Sequence, residues 1–177
     1  MAPVTRSMRG RRAALERIAA GLIALACAGA ARALDAPAGK VILTITGQLT
    51  HTNDGNAAAF DLALLRRLPQ HSFSTRTPWY PQPRKFGGVL VRDLLDAVGA
   101  RGSTLRALAL NDYRVDIPAD DLTDHGALLA YLLDDQPMAV REKGPLVIIY
   151  PFDDNPELRS AVRYSRAIWQ LHGIEVK

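Results

Sequence analysis

Cysteine is nearly missing from this chain. Its 177 residues contain one, Cys27, and that one falls in an N-terminal stretch that reads as an export leader. Arg6, Arg9, Arg11, Arg12 and Arg17 give a basic start, "IAAGLIALACAGAA" is an apolar run of 14, and Ala31-Arg32-Ala33 offers small residues at the two positions that determine cleavage. The run is short for a bilayer span, which needs about 20 residues. Cleavage after Ala33 is the expectation, and residues 34–177 then carry no thiol. An exported chain of that composition has no disulfide, no cysteine nucleophile and no cysteine-ligated metal.

Excess positive charge is the second absence. The whole chain is formally +4, but the leader takes six Arg and one Glu, leaving 16 Lys+Arg against 17 Asp+Glu, a net of −1. A nucleic-acid partner loses its main support. Catalytic signatures are missing too. His51, His71, His125 and His172 show no ligand spacing, and there is no H-E-x-x-H or G-x-S-x-G pattern. The pairs Asp120-Asp121, Asp134-Asp135 and Asp153-Asp154 each fall in an expected turn, where Asp serves local hydrogen bonding.

What is present is one domain's worth of mixed elements over 34–177. "KVILTITGQL" (40–49) alternates and is rich in β-branched residues, so it predicts a strand. "AAFDLALLRRLP" (58–69) has helical spacing, with Pro69 closing it. "HSFSTRT" (71–77) is a short strand running into a turn, and "VLVRDLLDAVGA" (89–100) an amphipathic helix stopped by Gly99. Two strands around Asn111-Asp112, a strand in 128–139, a buried strand in 141–154, a short helical turn and a last strand complete the chain. Strands outnumber the short helices, which points to an α+β domain.

Five polar–aromatic clusters mark strand ends, where a sheet presents binding groups: "TRTPW" (75–79), "LNDY" (110–113), "REKGP" (141–145), "YPFDD" (150–154) and "YSRAIWQL" (164–171). Arg141, Lys143, Arg163 and Arg166 supply charged donors; Trp79, Tyr113, Tyr150 and Trp169 supply flat apolar walls. That combination suits a planar polar heterocycle. Core and turn readings stand beside it: Trp169 lies in an apolar strand pattern, Lys143-Gly144-Pro145 fits a turn, and Asn111-Asp112 fits a plain hairpin.

In order and spacing, "STRTPW", "FGGVLVRDLLDAVGA", "ALNDYRVDIP", "LLAYLLDDQPMAVREKGPLVIIYPFDD" and "SRAIWQL" resemble the sulfite-oxidase-type molybdopterin-binding domain. More closely, the chain is similar to small exported proteins of that fold which bind pterins without molybdenum. Molybdenum enzymes of this fold place a metal-ligating cysteine just after the strand that leads into the "FGGVLVRDLL"-type helix. By that spacing Thr75 holds the cysteine's place, and Trp79 matches a Trp found four residues on in some members.

The resemblance implies a mixed β-sheet with short helices, a reduced pterin as ligand and no molybdenum. Thr75 and Thr77 would bond the ring's amide and amine edge, and Trp79 would stack on its face. Arg141 and Lys143 would approach polar substituents or a phosphate, and Arg166 and Trp169 would close the far side. Asn111, Tyr113 and Tyr150 complete the expected pocket. A periplasmic, non-catalytic, ligand-sensing regulator is implied, acting on the periplasmic region of a membrane-bound cyclic-di-GMP enzyme. Two other readings stay open: a molybdopterin oxidoreductase with unusual metal ligation, and a cofactor-free interaction domain.

Overall fold

The computed structural model describes residues 34–177, so the expected leader and its cleavage point lie outside the described residues. Among the described residues, ten strands make two sheets. The first has the order β2-β1-β10-β5-β6, from β1 (Leu43–Gly47), β2 (Ala58–Phe60), β5 (Thr104–Ala109), β6 (Arg114–Pro118) and β10 (Leu171–Val176). The second has the order β3-β4-β7-β8, from β3 (Gln70–Thr77), β4 (Tyr80–Leu90), β7 (Leu128–Leu133) and β8 (Gln136–Pro137), with β9 (Val147–Ile149) also on β7. All pairings are antiparallel except β1 with β10. The fold is α+β, as the excess of strands predicts.

The helices are short: α1 (Leu62–Leu65), α2 (Val91–Val98), α3 (Ala119–Thr123) and α4 (Ala161–Arg166). None among the described residues is long and apolar enough to cross a membrane. In α2 the buried residues are Val91, Leu94, Leu95 and Val98, the spacing of one helical face. Gly99 ends it in the left-handed conformation at φ 58, as expected.

Three local expectations are corrected. The helix foreseen over 58–69 begins only at Leu62, because Ala58–Phe60 pairs with β1 and Asp61 caps α1, accepting from Leu64 N at 2.8 Å. The helix foreseen from Val89 begins at Val91, because Val89 and Leu90 still pair with Leu129 and Leu128. Asp120-Asp121 is the first turn of α3 rather than a loop turn. The largest fully buried side chains are Tyr150, Phe60, Phe86 and Phe152. Gly88 lets β4 and β7 close together: a Cβ there would meet Leu129 O at 2.1 Å.

Candidate functional site: an aromatic groove walled by α4

Six of the chain's few aromatic residues form a line from core to surface. Tyr150 meets Phe152 (5.9 Å between centroids), Phe152 meets Tyr164 (4.9 Å), and Tyr164 meets Trp79 (6.1 Å). Trp79 then meets Trp169 edge-on at 4.8 Å, and Trp169 meets Tyr80 at 6.2 Å. Edge-to-face pairs of this kind hold rings rigidly. The outer rings open into a groove of about 270 Å³, lined by Trp79, Asn111, Tyr113, Tyr164, Trp169 and Gln170 among others.

The backbone explains why these rings converge. Thr77 and Tyr80 are paired across the β3–β4 hairpin, so Pro78-Trp79 is its tip, and Thr77 Oγ1 accepts from Trp79 N at 3.4 Å. Opposite, the β5–β6 turn carries Asn111 and Tyr113; Asn111 Oδ1 accepts from Tyr113 N, and Tyr113 Oη donates to Ser165 O of α4 at 3.1 Å. Gln170 joins three loops. It sits at φ 53, its N donates to Lys143 O, its carbonyl accepts from Leu110 N, and its Nε2 donates to Val140 O.

Of the ten residues expected at the site, the structure brings Trp79, Asn111, Tyr113 and Trp169 together in this groove. Lys143 joins from behind, its Nζ 5.2 Å from the Trp169 ring and 5.5 Å from that of Tyr80. Tyr80 takes a second cation, Arg84, at 4.8 Å. Burial pushes its hydroxyl above the usual tyrosine range, against the pull of Arg84. Thr77, 8% exposed, lies under the hairpin tip and edges a smaller depression of about 250 Å³ with Arg76, Asp153, Arg159 and Tyr164.

The remaining four stand elsewhere. Thr75 is 0% exposed, and its hydroxyl accepts from Asp153 N at 3.1 Å, so it offers no surface. Tyr150 is also 0% exposed and is a core ring, not a wall, with its hydroxyl donating to Asp121 Oδ2 at 2.8 Å. Arg141 projects into solvent beside Glu142. Arg166 turns to the far side of α4, onto Asp121 at 2.8 Å.

Asp121 is the residue the turn reading of the Asp pairs missed. Its side chain is 8% exposed and accepts from Tyr150, Arg163 and Arg166. Burial raises its pKa, but the bonds from Tyr150 and Arg166 and the two guanidinium charges outweigh that and hold it below the usual carboxylate range. Tyr164, Ser165 and Gln170 were also missed as lining residues. Tyr164 was legible as an aromatic beside Trp169 in "YSRAIWQL"; Gln170 gave no signal.

Among the described residues five large apolar side chains are exposed, and one of them, Tyr113, lines the groove. Leu110 and Val140 bond to Gln170 through their backbones.

Neither the models of known protein families nor the curated protein sequences match this chain. Among solved structures, the sulfane dehydrogenase SoxCD from Paracoccus pantotrophus is similar, with a TM-score of 0.57 at 16% identity. The likeness covers 76% of this chain and 37% of that one. At that identity the likeness is one of fold alone, and it agrees with the expected sulfite-oxidase-like α+β fold.

Proposed function

We propose that this protein is an exported, non-catalytic pterin-binding protein whose ligand lies in the groove between Trp79, Tyr113, Tyr164 and Trp169. The observation that carries the reading is the convergence of these four rings with Asn111 and Gln170 on one groove of about 270 Å³. Flat rings bind a bicyclic heterocycle by stacking, worth roughly 1–3 kcal/mol per ring by analogy with nucleobases. The side-chain amides match its donor and acceptor edge. The volume lies near the lower end of small-molecule sites, about 300–1,000 Å³, which suits a single pterin.

The donor set does not fit molybdenum held through a thiolate. Thr75 stands in the cysteine's place with a neutral hydroxyl already bonded to Asp153 N, and no cysteine occurs in 34–177. A high-valent molybdenum centre takes the soft anionic sulfur there.

The finer role rests on the resemblance: a periplasmic sensor presenting its pterin state to the periplasmic region of a membrane-bound cyclic-di-GMP enzyme. The exposed ring of Tyr113 on the groove supports this, since a partner seated against it would sense whether the groove is filled.

The test is to purify the protein anaerobically from its own export compartment, denature it, and measure released small molecules by mass spectrometry with a molybdenum assay on the same sample. A pterin without metal is expected. Stoichiometric molybdenum would revive the oxidoreductase, and an empty protein would favour a cofactor-free interaction domain.

A further inference from the structure

Helix α4 is the common wall of two depressions. On one side Tyr164 and Ser165 line the aromatic groove. On the other, Arg163 and Arg166 line an open cleft of about 320 Å³ with Asp120, Asp121, Asp124 and His125. The helix is six residues long and none of them is buried. A helix that short does not hold itself in water; Tyr164 alone packs, half-buried, against the core at Phe152. Polar anchors supplement that one contact.

Hydrogen bonds from both ends of α4 supply them. Ser160 caps the helix, accepting from Arg163 N at 3.3 Å. Arg163 Nη1 donates to Glu157 O, and Arg163 Nη2 meets His125 Nε2 at 3.0 Å. Arg163 Nε and Arg166 Nη1 then grip the two oxygens of Asp121 at 3.1 and 2.8 Å, while Tyr150 pins that carboxylate to the core. Two arginines three positions apart, held by one sheltered carboxylate, set the helix's azimuth. Tyr164 lies between them in sequence, so that azimuth sets the angle of its ring to Trp79.

We propose that Asp121 is a positioning residue for the aromatic groove, acting through α4 on Tyr164 and Ser165. The affinity part rests on the pterin reading above; the ring geometry does not.

The test uses the full chain, with near-UV circular dichroism reporting the Trp79–Trp169 pair and quenching of tryptophan fluorescence reporting binding of 7,8-dihydrobiopterin. Asp121→Asn is expected to change the near-UV band, keep the far-UV spectrum and weaken binding about ten-fold, a loss of about 1.4 kcal/mol. Asp121→Glu, which keeps the charge, should recover part of both. Asp124→Asn, in the same cleft but without a bond to α4, should change neither. A folded Asp121→Asn protein with the wild-type band and wild-type affinity overturns the proposal. If that variant does not fold, Arg166→Gln decides: a changed band with about three-fold weaker binding is expected, and no change overturns it. If the wild-type protein fails to bind dihydrobiopterin, the pterin reading falls, and the near-UV band of Asp121→Asn alone decides the role of Asp121.

Discussion

On one face of α4 lie neutral rings, half open to solvent, with side-chain amides at their edges; on the other lies a carboxylate whose oxygens are all engaged. The groove has unused capacity: Trp79 meets Tyr164 and Trp169 in T-shaped pairs, and the three rings still line an open groove of about 270 Å³. The Asp121 cluster has little left over, since Tyr150, Arg163 and Arg166 converge on it from the core and from α4. Binding sites are recognised by such incompleteness, while an internally satisfied polar cluster reads as scaffold. In the more strongly charged depression the charged groups bond one another.

The sharpest way to break this contrast is to remove the carboxylate. Asp121→Ala leaves Tyr150 and two sheltered guanidinium groups without their acceptor, and should destabilise the fold by about 3 kcal/mol, read as a melting-temperature drop of about 10 °C. A loss below about 1 kcal/mol, the surface-pair range, would demote the cluster to surface pairing. Next in size is Trp79→Ala, which should weaken pterin binding about ten-fold or more while the melting temperature moves little, since Trp79 sits at a hairpin tip. Equal losses of binding and stability would make Trp79 a core residue and erase the difference between the two faces.

How much of this was legible beforehand depends on the reach of each interaction. The strands β7 and β9 are continuous apolar runs buried on both faces, and "LLAYLL" and "LVII" say so directly. Strand β4 was hidden by Pro81, Pro83, Gly87 and Gly88. Its two prolines lie in the half that extends beyond the β7 pairing, which begins at Phe86, so they withhold no N–H from that neighbour. Trp79, Asn111, Tyr113 and Trp169 were legible because hairpin tips and strand ends are local features. Asp121 was not. It looks like the other Asp pairs until Arg163 and Arg166 arrive from 42 and 45 residues downstream. Tyr150 misled for the same reason: nothing local tells an inward-facing ring from a wall.

Acid and alkali offer a third and smaller separation. The pKa of Asp121 is depressed in the folded protein, so its contribution is present above the ordinary carboxylate value of about 3.9 and is lost as pH falls through the folded value. Asp121→Asn should therefore flatten the loss of stability below about pH 4. Tyr150 is shifted upward, by burial first and by Asp121 second. Its contribution is complete below the ordinary tyrosine value of about 10 and is lost as pH rises from there toward the raised folded value. Tyr150→Phe should cost about 1 kcal/mol at neutral pH and lose less than wild type above pH ~10. Urea titrations at pH 3, 7 and 11 would check both; parallel wild-type and Tyr150→Phe curves at high pH would remove the tyrosine from the account.

The smallest expected effect probes the seam between the two faces. Tyr113 Oη donates to Ser165 O at 3.1 Å, but Tyr113 is 44% exposed, so water can replace either partner. Tyr113→Phe keeps the ring as a groove wall and removes only that bond. Stability should change by no more than about 0.5 kcal/mol, and pterin affinity by less than about two-fold, since stacking depends on the ring face. A ten-fold loss of affinity at unchanged stability would be the informative failure. It would mean that the β5–β6 turn and α4 act as one wall locked through that bond, and that the groove's geometry is set from its open side as much as from the carboxylate behind it.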